Sequence, residues 1–366
     1  MDRIYAAALH LLLGLDLNPL FDDILSRWGS FEDFWKAGAV PGGLPLGPKA
    51  RERLETGKKQ LNPERMAERY EKKGIRYITK LESEFSKQLL TIYNVPCILY
   101  YHGRLSLLNA TSVAVVGSRK PTPYGVAQCG QISAQLSKRG VCVVSGLAAG
   151  IDAAAHKGAL TEKGSTIAVL GSGIDQIYPR QNRLLFREVC ESGLTVSEFP
   201  PETQAQPWHF PIRNRIISGL AEGVLVVEAQ ARSGSLITAD HALEQNKEVF
   251  ALPGPVSSAL SVGPLRLIQQ GAKLVVNAND ILEEIGIPPD EANQGAEEQR
   301  PPLSDGEKQL MRRIGYEPVH IDYLLKWEDA GGKGSAGQGG GLFAMLMELE
   351  WKGWIQSVPG NYYVRV

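Results

Sequence analysis

From Ser112 onward the sequence repeats one pattern: a short, almost wholly apolar run, a turn of small residues, then a helical stretch. The runs are Val113–Val116, Val141–Val144, Thr166–Leu170, Leu194–Ser197, Val224–Val227, Val249–Ala251 and Lys273–Val276. They do not alternate apolar with polar, as strands with one wet face do. Strands that are apolar on both faces belong in a parallel sheet covered by helices on each side. The pattern therefore predicts an α/β core over 112–286. In such a sheet ligands collect beyond the carboxyl ends of the strands, so function is sought in the turns that follow the runs.

The expected core is an extended Rossmann-like sheet with a different texture on either side. Residues 1–80 read as helical, with Leu9, Leu12 and Leu13, then Phe21, Ile24, Leu25 and Trp28 at helical spacing. Gly29-Ser30 and Pro41-Gly42-Gly43 punctuate them. Residues 81–111 read as an extended connector holding a short strand around Cys97–Tyr101. Residues 287–302 are polar, acidic and bounded by proline, the composition of a linker. Over 303–366, Ser304 and Glu307 form a capping box, helices are expected near 319–327 and 341–352, and a hairpin crosses Pro359-Gly360-Asn361. Three helices and a two-stranded wing predict a winged helix, with a long glycine-rich insert at Gly331–Gly341. Its candidate recognition helix exposes Glu348 and Glu350 against Lys352 alone, which predicts contact with protein more than with DNA.

A chain of 366 residues with 43% apolar residues has material for two or three domains. A net charge of −1 excludes a globally basic nucleic-acid binder but permits a local cluster of cations. Cys97, Cys129, Cys142 and Cys190 form no C-x-x-C pair and no metal-spaced set. They read as reduced, structural thiols of a cytoplasmic protein. The amino-terminal apolar stretch Ala6–Leu15 holds His10 and runs on into Asp16, without the layout of a signal peptide. No membrane span, cofactor or metal is expected.

Five turns are rich enough to carry chemistry. Gly117-Ser118-Arg119-Lys120 follows the first run; read as a turn entering a helix, it offers backbone N–H groups and two cations to an anion. It is not G-x-G-x-x-G, and the second run ends at Ser145-Gly146 with no acid for a ribose, so a dinucleotide is disfavoured. Asp152 and His156 lie one helical turn apart, a spacing that fits a cap or hydrogen bond better than a catalytic pair. After the third run, Tyr178 can stack on a base and Arg180 can meet a phosphate. After the fourth, Trp208, His209 and Phe210 are followed by Arg213-Asn214-Arg215, directly before an apolar helix. Rings interleaved with arginines suit single strands. After the fifth, Ser233-Gly234-Ser235 opens a further helix.

Taken in order, GSRKPTPYG from Gly117, SGLAAGIDAAAH from Ser145, GSGIDQIYPRQN from Gly171, SEFPP from Ser197, FPIRNRII from Phe210, EAQARSGSLITA from Glu228 and EVFALPG from Glu248 resemble the DNA-processing protein A family (DprA, also called Smf). The resemblance implies an extended Rossmann fold, a homodimer and no catalysis. It also implies binding of single-stranded DNA without strong sequence preference, protection of incoming DNA in natural transformation, and help in loading the RecA recombinase. A sterile-alpha-motif-like helical domain before the core and a winged helix after it are common in the family. By motif, Arg119, Arg180, Arg213 and Arg215 line the DNA pocket, and Gly117, Ser118 and Asn214 shape it. Lys120, Tyr178 and Phe210 complete the expected site. The helix after Thr238 and the segment beyond it are expected at or near the dimer contact.

Two departures bear on the site. Ala149 stands where the family usually has Arg or Lys, and the loop after Pro253-Gly254 differs, leaving Arg266 as a candidate to offset the lost charge. The rival reading is a Rossmann-fold nucleotide-hydrolysing enzyme of the phosphoribohydrolase type, built on a Pro-Gly-Gly-x-Gly-Thr-x-x-Glu turn. The corresponding stretch, Ser233–Asp240, lacks the second glycine and the glutamate base.

Overall fold

Apolar spacing folds the amino-terminal segment into helices α1 (Asp2–Leu13), α2 (Phe21–Trp28), α3 (Phe31–Lys36), α4 (Pro48–Gln60) and α5 (Pro63–Lys72). Their starts use ordinary caps: Ser30 and Asn62 accept backbone N–H groups, and Pro48 and Pro63 occupy first turns. The chain then forms β1 (Arg76–Thr79) and β2 (Ile98–Gly103). The repeating region follows as β3 (Ser112–Val116), α6 (Pro123–Lys138), β4 (Cys142–Ser145), α7 (Ile151–Leu160), β5 (Thr166–Leu170), α8 (Arg183–Ser192) and β6 (Leu194–Ser197). It continues through α9 (His209–Gly219), β7 (Gly223–Val226), α10 (Gly234–Glu244), β8 (Glu248–Ala251), α11 (Val262–Gln269), β9 (Lys273–Leu274) and α12 (Ala278–Glu284). The computed structural model describes residues 2–37, 44–162, 165–288, 301–329, 341–358 and 360–365. Most of the expected linker, the turn at 41–43, the insert at 331–340 and Pro359 fall outside the described residues.

The strands form one nine-stranded sheet in the order β1-β2-β6-β5-β4-β3-β7-β8-β9. All pairings from β6 to β9 are parallel, as the doubly apolar runs require. The sheet does not begin at Ser112. β2 pairs antiparallel with β6, Tyr100 opposite Ser197, and β1 pairs antiparallel with β2. The strand expected around Cys97–Tyr101 is thus a member of the sheet, β1 lies at the end of the stretch expected to be helical, and short 3-10 turns at Leu89–Thr91 and Leu105–Asn109 flank β2. The helices of 1–80 share one hydrophobic core with one face of the sheet: Leu9, Leu17, Phe21 and Tyr70 pack in the same cluster as Ile98, Tyr100, Leu170 and Phe186. Residues 1–120 and 129–281 make one compact unit. By length and composition Asp2–Trp28 could cross a membrane, but 61% of its apolar window is buried in the protein, and it is broken into α1, a 3-10 turn and α2. All four cysteines are free, and burial pushes each thiol pKa up.

The second unit contains α13 (Asp305–Met311), β10 (Val319–His320), α14 (Ile321–Asp329), α15 (Gly341–Trp351), β11 (Ile355–Val358) and β12 (Tyr362–Arg365). The expected capping box is present, with Ser304 Oγ accepting from Glu307 N and Glu307 accepting from Ser304 N. β12 lies between β10 and β11 in an antiparallel sheet, three strands where a two-stranded hairpin was expected. Leu310, Ile314, Leu324, Leu342, Leu346 and Leu349 form the core of this unit.

Candidate nucleic-acid interface

Chain order in the sheet runs from β3 leftward through β4, β5 and β6, then jumps by α9 to β7 and runs rightward. The carboxyl ends of β3 and β7 therefore diverge at a topological switch point, where an open sheet leaves a crevice. A pocket of about 410 Å³ lies there. Its walls come from four places: Gly117–Lys120 after β3, Ala148 and Asp152 after β4, Phe210, Arg213 and Asn214 on α9, and Gln230 and Arg232–Ser235 after β7.

The floor is held by close packing. Gly117 is pressed against α7 and the next turn: a Cβ there would sit 2.8 Å from Ile151 and 3.0 Å from the Glu228 carbonyl. Ser118 N donates to Glu228 O at 2.7 Å, and Lys120 N donates to Ser118 Oγ at 3.1 Å. These amides are committed within the protein, and α6 begins only at Pro123. The expectation that this turn opens a helix onto an anion is thus corrected. The first turns of α7 and α9 reach the lining through Asp152 and Phe210, and the glycine–serine turn that opens a helix there is that of α10, where Ser233 caps Ser235 N and a Cβ on Gly234 would meet open space.

Phe210 organises the cations. The Arg119 guanidinium lies 5.0 Å from its ring centroid, that of Arg213 lies at 5.9 Å, and the Tyr178 ring at 5.6 Å. Arg119, Lys120 and Arg232 are exposed around the opening. Arg213 is buried: its Nη1 donates to the Gly146 carbonyl at 2.9 Å and to the Val169 carbonyl, and a Cβ on Gly146 would lie 2.5 Å from its Nη2. Burial lowers its pKa to about 10, opposed by the nearby Asp152 carboxylate, so it stays cationic at neutral pH. Asp152 accepts from Gly146 N and Ala148 N, and burial raises its pKa against the pull of Arg213. His156 turns away into the core, where Nδ1 meets Thr166 Oγ1 at 2.6 Å and burial lowers its pKa to about 3. Asp152 and His156 have separate partners: Asp152 holds the loop before α7 and does not cap the helix, and the two side chains share no hydrogen bond.

Seven of the ten expected residues line this pocket: Gly117, Ser118, Arg119, Lys120, Phe210, Arg213 and Asn214. Tyr178 touches the site only through Phe210, and Arg180 is exposed beyond the lining. Arg215 is not in the pocket at all. The helix starts at His209 and not after Arg215, so Arg213 and Arg215 point roughly 200° apart. Arg215 instead donates to the buried Glu198 carboxylate at 2.6 Å, with side-chain exposures of 7% and 1%. Glu198 also accepts from Asn18, whose own carbonyl oxygen accepts from Cys97 N. Arg266, the candidate to offset Ala149, is likewise outside the lining, while Arg232 is inside it. Arg232 lies in a turn that the sequence offers, but only the strand order shows that this turn faces Gly117 across the switch point.

The family model described as DNA recombination-mediator protein A matches residues 76–286. The chain belongs to this family. Its relatives include the DNA processing protein DprA of Bacillus subtilis, 44% identical over 217 residues, which are 59% of this chain and 73% of that protein. Protein Smf of Escherichia coli is 42% identical over 296 residues, 78% of this chain and 76% of that protein. Among solved structures, DprA from Streptococcus pneumoniae superposes with a TM-score of 0.67 at 35% identity, covering 77% of this chain and 97% of that one. DNA processing protein A from Helicobacter pylori, a structure described for its single-stranded DNA binding mode, gives a TM-score of 0.53 at 31% identity, covering 57% and 95%. The family match begins at β1, where the sheet begins, and not at Ser112.

Proposed function

We propose that this family member binds single-stranded DNA in the switch-point pocket and acts as a non-catalytic mediator. It shields incoming DNA during natural transformation in the cytoplasm and helps load RecA. One observation carries the binding reading: Arg119, Lys120 and Arg232 ring an opening that also presents the Phe210 ring and the start of α10. Cations that meet phosphates beside a ring that meets a base are what a strand of any sequence needs. The H. pylori relative supports the choice of strand. We assign Gly117, Ser118, Arg119, Lys120, Phe210, Arg213 and Asn214 to this site, with Arg232, Ser233 and Ser235 added; Tyr178 and Arg180 extend it along the rim.

A homodimer is part of the proposal. α10 and the segment after it leave Leu243, Val256, Leu274 and Val276 exposed, an apolar surface suited to a second copy. The unit beyond residue 301 is proposed to be a winged helix. The phosphoribohydrolase reading is weaker here because Asp240, nearest to the missing glutamate, is exposed and outside the pocket lining. The test is anisotropy of labelled oligo-dT and of a duplex against salt, with the full chain, since trimming to 112–286 would remove β1, β2 and Asn18. Preference for the single strand with a salt slope of about −0.7 per contacted phosphate is expected. Equal affinity for duplex, or release of free base from AMP or CMP, would overturn the reading.

A further inference from the structure

The second unit carries a surface that DNA binding in the pocket does not use. α15 buries Leu342, Leu346 and Leu349 in its core. On the opposite side Phe343, Met347 and Trp351 are 47%, 73% and 85% exposed. A spacing of four residues places them in one stripe that advances roughly 40° per step and runs roughly 12 Å along the helix. Single exposed apolar residues are ordinary, but three large ones in register on one helix are not. The same helical geometry sets Glu350 on one flank of the stripe and Glu348 on the other.

No Lys or Arg lies within α15. The adjoining Lys352 bonds the buried Glu307 at 2.6 Å and Glu348 at 3.2 Å. Glu350 is fixed by Ser357, whose N and Oγ donate to it at 2.9 and 2.6 Å. Glu307 and Glu348 thus share the one ammonium of Lys352, while Glu350 is held by neutral donors, so the flanks of the stripe carry more negative than positive charge. A phosphate backbone is repelled here, as is an anionic membrane. A twofold copy would set carboxylate rims against each other. The charge pattern is answered by a protein surface whose apolar strip is bordered by lysine or arginine.

We propose that α15 is a docking helix for such a protein partner, with Phe343, Met347 and Trp351 as the anchors and Glu348 and Glu350 selecting a basic rim. The proposal is independent of the DNA pocket. The test uses the full chain, with and without saturating oligo-dT, titrated with a synthetic leucine–lysine amphipathic helix and with a leucine–glutamate helix of the same pattern. The leucine–lysine helix is expected to bind at least about tenfold tighter than its acidic counterpart. The Phe343→Ser/Met347→Ser/Trp351→Ser variant should lower that affinity about tenfold or more. Glu348→Lys/Glu350→Lys should reverse the preference. Oligo-dT affinity and melting temperature should stay at wild-type values in the stripe variant, whose changed side chains are exposed. If the charge variant fails to fold, the stripe variant and the acidic helix decide. Unchanged peptide binding by the stripe variant overturns the proposal. So does loss of duplex or oligo-dT binding, which makes the face a nucleic-acid contact, or loss of self-association in sedimentation, which makes it a contact between copies.

Discussion

Arg119 and Arg215 separate two roles that cations play in this fold, and replacing each tests the assignment. Arg119 is exposed over the Phe210 ring; Arg215 is buried against Glu198. If Arg119, Lys120 and Arg232 each meet one phosphate, the pocket contributes a log–log salt slope of roughly −2 for oligo-dT. Arg119→Ala removes about 0.7 of that slope, so the loss of affinity between about 50 and 200 mM salt shrinks by roughly 2.5-fold. At low salt the affinity itself should fall roughly five- to tenfold for every sequence alike, because backbone contacts carry no base information. Arg215→Met should leave the slope unchanged. It strands the Glu198 carboxylate in the interior, which costs about 3–5 kcal/mol of stability. Replacing both partners, Arg215→Met with Glu198→Leu, should recover most of that loss. The assay is anisotropy at four or more salt concentrations beside urea unfolding of the same preparations. An unchanged slope in Arg119→Ala, or a changed slope in a folded Arg215→Met, would refute the division.

Ala149→Arg, restoring the cation usual in the family, should steepen the salt slope by about 0.7 and tighten oligo-dT binding; no change means that residue 149 does not reach the strand. Gly146→Ala drives a methyl group against the buried Arg213 guanidinium, so both stability and DNA affinity should drop; wild-type melting and binding would show that Arg213 can move without consequence. Burial holds His10 and His156 at pKa values of about 3 against an ordinary 6.5. Such bases stay neutral in the fold and take up protons on unfolding, so their stabilisation is full above pH 6.5 and is lost as pH falls toward 3. Roughly 3 kcal/mol per histidine should go between pH 6.5 and 4. Unfolding curves of His156→Gln should therefore depend less on pH than wild type; equal pH dependence would contradict the assignment.

Strands β3 to β8 were legible because burial on both faces writes itself into each run alone; β9, at the sheet edge with Leu274 exposed, was legible only by its place after α11. Strand β2 was legible as a short strand but not as part of the sheet, and β1 was not legible at all, since the partner of β2 lies almost a hundred residues away and antiparallel pairing at the sheet margin leaves no local mark. Gly117 and Phe210 announced a pocket, but Arg213 and Arg215 looked equivalent until the start of α9 fixed their phases. Arg232 needed the strand order: nothing near it in sequence says that β7 neighbours β3. Glu198 and Asn18 needed the packing of the amino-terminal helices, which pairs residues 180 apart.

A buried carboxylate opposes anion binding in the proposed pocket, yet the bonds of Asp152 give it a place. It accepts the Gly146 and Ala148 amides, which would otherwise point unpaired into the crevice, and its charge offsets the buried Arg213. Arg213 in turn satisfies the carbonyls of Gly146 and Val169 at the ends of β4 and β5. The two interior residues therefore shape the floor with charges that oppose each other, and Arg119, Lys120 and Arg232 are the exposed cations of the lining. Rim cations on an exposed edge attract phosphates without fixing a base, and they weaken with salt. If the strand binds there as proposed, sequence indifference and salt sensitivity follow from where the charges sit. A buried, uncompensated arginine in the same place would have held one phosphate rigidly and made the site selective for a single backbone geometry.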